Sequence, residues 1–116
     1  DARNRYSGQI YEQDSPRGII AWRSQMVETE KGRNPRLVAS LGNSDDLAAF
    51  VKPSEWNQLE IVAIGNQLTT ILNGHVMATL LDNDPAYARA KGLIGLEIEG
   101  GGNLRILHRN IWVKSF

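Results

Sequence analysis

The chain has no cysteine. Disulfides and thiolate-held metals are therefore excluded, while no compartment is chosen by that absence. It also lacks an excess of charge of either sign, with 13 basic and 13 acidic residues. Without a basic surplus, nucleic acid and anionic membranes are disfavoured as partners. No apolar run is long enough to span a bilayer. No signal-peptide pattern opens the sequence, and it starts at Asp1 rather than Met, which reads as a processed or cleaved start. Gly-x-Ser-x-Gly is missing, so an ordinary esterase triad has no support. His-x-x-x-His is missing too, and a lone histidine is more often structural than a ligand.

What is present suits one soluble domain of 116 residues, 41% of them hydrophobic. Residues 6–13 read as a strand, and Asp14-Ser15-Pro16-Arg17-Gly18 as a turn. Residues 19–27 read as one strand, residues 28–35 as an exposed loop, and residues 36–41 as a short strand. Ser44 is placed to cap a short helix over residues 45–51, with Asp45 and Asp46 at its positive end. Trp56 opens the best strand. There Leu59, Ile61 and Ala63 face one way and Gln58, Glu60 and Val62 the other. Gly65-Asn66 is a turn. Asn73-Gly74 is a strong hairpin signal between residues 68–72 and 75–81.

Asp82-Asn83-Asp84 has the look of a calcium loop's start but lacks its glycine and distant glutamate, so it reads as a turn, with Asp84-Pro85 starting a helical turn. Residues 92–99 and 104–114 complete the strand set, joined by Gly100-Gly101-Gly102-Asn103. About seven or eight strands at regular spacing predict an all-β sandwich or barrel.

Alternation puts acids on one side of these strands. Glu60 lies opposite Leu59 and Ile61. Glu97 and Glu99 lie opposite Ile94, Leu96 and Ile98. If the strands are neighbours, the three carboxylates converge. Paired carboxylates are what glycosidic cleavage requires, one as acid and one as base or nucleophile. They also hold sugar hydroxyls or a divalent cation. The competing reading is an ordinary solvated sheet face. Tyr6, Tyr11, Trp22, Trp56 and Trp112 lie on or beside strands, and such rings stack on sugars. For Trp56 and Trp112 the hydrophobic core is the expected place. His75 reads as exposed after its turn, and His108 as facing inward.

The run Ser7-Gly8-Gln9-Ile10-Tyr11-Glu12, Arg17-Gly18, Glu55-Trp56-Asn57 with Glu60-Ile61, Gly65-Asn66, Leu72-Asn73-Gly74-His75-Val76-Met77, Asp82-Asn83-Asp84-Pro85, Lys91-Gly92 and Arg109-Asn110-Ile111 resembles the 3-keto-disaccharide hydrolase domain family. The resemblance covers essentially the whole chain. It implies a concanavalin-like lectin/glucanase jelly roll of two antiparallel sheets, with one or two short helices. The family domain is longer, and its opening strands have no counterpart before Tyr6. Residues 1–116 are therefore expected to be one β-sandwich domain lacking the N-terminal strands.

Exposed sheet edges then imply a homo-oligomer or association with an N-terminal segment. The resemblance places Gln9, Glu12 and Arg17 near the concave cleft and Glu60 on the central strand; among the aromatic residues, Trp22 is the one expected to add a sugar contact. Many members carry Gln and His where this chain has Glu97 and Glu99, and a Phe where it has His108. An extracellular or periplasmic location follows by resemblance. So does a carbohydrate ligand.

Three functions compete. One is a hydrolase or lyase cleaving glycosidic bonds of 3-keto-disaccharides, with Glu60, Glu97 and Glu99 as the catalytic group and a divalent metal as an optional cofactor. Another is a non-catalytic carbohydrate-binding module. The third is a structural or interaction domain. Fold alone decides none of them.

Overall fold

A computed structural model describes residues 4–98, 103 and 105–115. Among them the chain is mostly β, in two sheets with one short helix. Strands β1 (Ile10–Glu12) and β2 (Gly18–Ala21) form a two-stranded antiparallel sheet. Strands β3 (Gln25–Glu30), β4 (Arg36–Ser40), β5 (Leu59–Ile64), β6 (Gln67–Leu72) and β7 (His75–Asn83) form the larger sheet, in the order β4-β3-β7-β6-β5. The antiparallel expectation holds for every pair but one: β3 and β7 run parallel. A parallel pair needs a long crossover, and β4, α1 (Ser44–Ala48), β5 and β6 supply it.

Two turns build the β5-β6-β7 meander. Gly65 takes φ 60° in the first, Asn73 and Gly74 take φ 50° and 83° in the second. Two successive positive φ values match the right-handed twist of flanking strands, which is why Asn-Gly sits there. Asn73 also anchors its surroundings. Its side chain accepts from Gln58 N at 2.9 Å and donates to Phe50 O at 2.7 Å.

The sheets pack through one face. Val27 and Leu68 both register with Leu80, and Ala78 lies beside them. Ile10, Ile20 and Ala21 of the small sheet cover this face, and the cluster is buried throughout. Met77, Leu72 and Leu47 form a second cluster that seats α1, with Val51 against it. Thr70 belongs to the covered face and donates to Gly8 O at 2.6 Å, tying the N-terminal segment down. Thr69 and Thr79 pair on the opposite face, their hydroxyls 3.2 Å apart.

Several expectations are corrected. The strand expected over residues 19–27 is two strands in different sheets. Ser24 has φ 76°, and the chain crosses layers at Trp22-Arg23-Ser24. The buried Arg23 fixes that corner, donating to Ser44 O at 2.9 Å, Asn4 O at 2.6 Å and Ser7 O at 3.1 Å. The loop expected from residue 28 instead continues β3 to Glu30, where Val27 to Glu30 pair with Leu80 to Asn83. The helix cap is Asn43, not Ser44: its side chain accepts from Asp45 N at 2.8 Å and Asp46 N at 3.3 Å.

The largest correction concerns the C-terminal segment. Residues 92–98 and 105–115 form no strand among the described residues, and all are exposed. Alternation supplies a strand's faces but not its neighbour, and a strand without a neighbour has no ladder. Residues 99–102 and 104, with Glu99 and the expected triple-glycine hairpin, lie outside the described residues.

Candidate functional site

The residues singled out from sequence fall into separate places. Glu12 ends β1, and Arg17 immediately precedes β2. Arg17 Nε and Nη2 donate to the two oxygens of Glu12, each at 2.7 Å, a bidentate fork. Nη1 donates to Asp82 Oδ1 at 2.9 Å. The same oxygen accepts from Thr29 Oγ1 at 2.6 Å and from Asp84 N at 3.3 Å. The Tyr87 ring lies against the guanidinium, its centroid 4.6 Å from Cζ.

Asp82 registers with Thr29 on the covered face, so this cluster joins the two sheets. Hydrogen bonding from Arg17 lowers the Glu12 carboxyl below its ordinary value against the opposing effect of burial. Burial works to raise Asp82, but bonds from Arg17 and Thr29 outweigh it and the carboxyl titrates low. Arg17 is raised, chiefly by its bond to Glu12. The Asp82-Asn83-Asp84 run thus serves this clasp and the turn that follows, where Asp84 Oδ1 accepts from Ala86 N at 2.9 Å.

Gln9 is half-buried, and its Oε1 has no hydrogen-bond partner among the described residues. Trp22 is exposed and stacks on Tyr6, centroids 6.1 Å apart.

Glu60 belongs to a different region. The register pairs Leu59 with Leu72 and Ile61 with Thr70, so Leu59 and Ile61 extend the covered face. They are nevertheless 59% and 58% exposed. The small sheet packs over β3 and β7 and leaves β5 uncovered. Between this edge and the C-terminal segment runs a groove of about 840 Å³. Leu59, Ile61, Leu107 and Ile111 give it an apolar lining, and Lys52, Glu60, His108 and Arg109 bring charge or titratable groups.

Trp56 and Trp112 line the groove as well. Both were expected in the core; they are 47% and 88% exposed, because among the described residues no second layer closes over this end. Arg109 Cζ stands 3.9 Å from the Trp56 ring centroid, a cation–π contact. His108, expected inside, is exposed here, and His75, expected exposed, is half-buried in a stack on Phe50, centroids 3.4 Å apart.

Leu96 lines the groove, but its neighbour Glu97 does not. Glu97 is exposed, and the strand alternation that grouped it with Glu99 is not formed at this position. Among the described residues no three His, Asp or Glu side chains cluster as a metal would require. The described donor set does not fit a divalent ion.

Sequence reasoning missed the groove's cations. Arg109 stood within a recognisable run, and nothing local to Arg109-Asn110-Ile111 announces that its side chain reaches Trp56.

A pocket with an apolar lining and a few convergent polar groups is the usual form of a small-molecule site. Apolar patches, indole faces, a carboxylate and cations suit a pyranose, which has an apolar C–H face and a polar rim. The described residues thus form an all-β sandwich domain with a groove whose lining combines apolar, aromatic and charged side chains. The chain belongs to the 3-keto-alpha-glucoside-1,2-lyase-like domain family, whose model matches residues 1–114. No curated protein and no solved structure matches it. The membership supports a carbohydrate-active role.

Proposed function

We propose that the domain cleaves the glycosidic bond of a 3-keto-disaccharide or related glycoside by elimination across C1 and C2. The observation that carries this reading is the presence of Glu60, Arg109 and Trp56 along one groove. The family's description as 1,2-lyase-like supports elimination over simple hydrolysis. A ketone at C3 acidifies the C2 hydrogen. A carboxylate takes that proton, the C2–H electron pair becomes the C1–C2 double bond, and the C1–O bond breaks. The departing oxygen takes a proton from an acid or water. Negative charge passes through the C3 oxygen, where a cation or hydrogen-bond donor lowers the barrier.

Glu60 is the preferred base in this scheme because it lines the groove; Glu97 and Glu99 are the other carboxylates proposed for the acid–base work. Gln9, Glu12 and Arg17 are the further contacts suggested by family resemblance, and Trp22 the one suggested by its aromatic ring. The clasp on Arg17 favours a supporting role for it and Glu12. The same resemblance carries the expectation of an extracellular or periplasmic location.

The test is incubation with a 3-keto-disaccharide, following both the released sugar and the conjugated enone by ultraviolet absorbance. Enone formation with sugar release supports elimination. Release without enone, and with solvent oxygen at C1, replaces it by hydrolysis. A second reading, a binding module without chemistry, draws on the exposed Trp56 and Trp112. Sugar binding without any turnover would put it first.

A further inference from the structure

Several arginines in this molecule are held by acceptors. Arg23 has three backbone carbonyl acceptors, and Arg17 has two carboxylates. Arg5 and Arg109 instead lie over aromatic rings, Tyr6 and Trp56, and of these two only Arg109 lines the groove. Its guanidinium carbon stands 3.9 Å from the Trp56 ring centroid, and among the described residues its N–H groups meet no acceptor. A guanidinium held by its flat face keeps its donor edge free, and that edge matches a carboxylate bidentately.

The surroundings favour an anion. Lys52 and Arg109 line the groove against the single carboxylate of Glu60, although the chain as a whole is neutral. Glu60 does not pair with either cation. Such a local excess in a concave site attracts negative ligands. The groove is also too large, at about 840 Å³, and too apolar for a bare inorganic anion. Leu59, Ile61 and Leu107 offer surface for the C–H face of a sugar ring.

We propose that Arg109, stacked on Trp56, is a subsite for the carboxylate of an acidic sugar, so that the preferred saccharide carries a uronic or aldonic acid group. This rests on the carbohydrate-active reading of the same groove and narrows its substrate class.

The test is calorimetric titration with two disaccharides of identical linkage, one neutral and one with a carboxylate at C6 of one ring. The wild-type chain is expected to bind the acidic sugar at least about tenfold more tightly, as a charge-assisted fork provides. The preference should shrink with added salt. R109Q should abolish it, R109K should keep part of it, and W56A should weaken both sugars. Circular dichroism of each variant verifies the fold.

Equal affinity of the wild type for both sugars, or an undiminished preference in R109Q, overturns the proposal. Cleavage of a neutral 3-keto-disaccharide with no charge preference would sink this inference alone and leave the proposed function standing. A carboxylate preference without turnover would do the reverse. Binding of neither sugar defeats both.

Discussion

Arg17 and Asp82 lie 65 residues apart in sequence, and Arg17 Nη1 lies 2.9 Å from Asp82 Oδ1. That bond joins the start of β2 to the end of β7, and so the small sheet to the large one. Glu12 completes the cluster from β1. The side chain of Arg17 is only 10% exposed and that of Asp82 15%, so water screens the pair weakly.

Replacing Arg17 with Ala leaves two carboxylates facing each other without their cation. Loss of one partner from a fully buried pair costs about 3–5 kcal/mol. Glu12 is 28% exposed and can turn to solvent, which lowers the expected cost to about 2–3 kcal/mol. Urea denaturation measures it. An unchanged midpoint would show that the small sheet is held by apolar packing alone.

The same clasp sets an acid limit. Glu12 and Asp82 titrate below their ordinary values, so the unfolded chain binds more protons than the folded one in that range. Stability therefore rises with pH there. Their contribution is complete above the unfolded carboxylate range, about pH 4, and is lost as pH falls through the folded values. Denaturation midpoints between pH 6 and acid are expected to drop in the wild type and to fall less steeply in Arg17→Ala. Parallel profiles would contradict the assignment.

Gly8 has φ 86°, and a Cβ there would stand 2.5 Å from Met77 Cβ and 2.7 Å from its Cγ. Met77 is fully buried and cannot swing away. Gly8→Ala is expected to cost about 1–3 kcal/mol from overpacking, beyond the penalty of a left-handed backbone. A double-mutant cycle with Met77→Gly separates the two, since it removes both Cβ and Cγ and so relieves only the steric part. Additive effects would mean that the approach of Gly8 to Met77 is unimportant.

Glu60→Gln tests the chemistry. Glu60 is exposed and forms no ion pair among the described residues, so its loss should leave the denaturation midpoint unchanged. Removing a general base should lower turnover of a 3-keto-disaccharide by about 10²-fold or more. Glu97→Gln and Glu99→Gln run alongside it. A larger fall in either of those than in Glu60→Gln would move the base to the C-terminal segment.

Local chemistry carried much of the fold. Asn73-Gly74 determined its hairpin because those residues tolerate two positive φ values. Alternation in residues 59–64 correctly set Leu59 and Ile61 against Glu60, since side-chain parity is a property of a strand by itself. The ordered motifs from Ser7 to Ile111 were enough for the family. Those signals span a few residues each, or add up along the chain.

Pairing was decided only in three dimensions. Nothing within residues 19–27 shows that Arg23 finds its acceptors in Asn4, Ser7 and Ser44, which is what turns one expected strand into two. The parallel β3–β7 pair depends on where β7 settles beside β6. Parity implies a shared face for Glu60 and Glu97 only if both segments become strands, and residues 92–98 do not. The sequence determined each segment's preferred conformation and faces. The tertiary structure decided which segments meet, because backbone hydrogen bonds and buried charges require partners that lie far away along the chain.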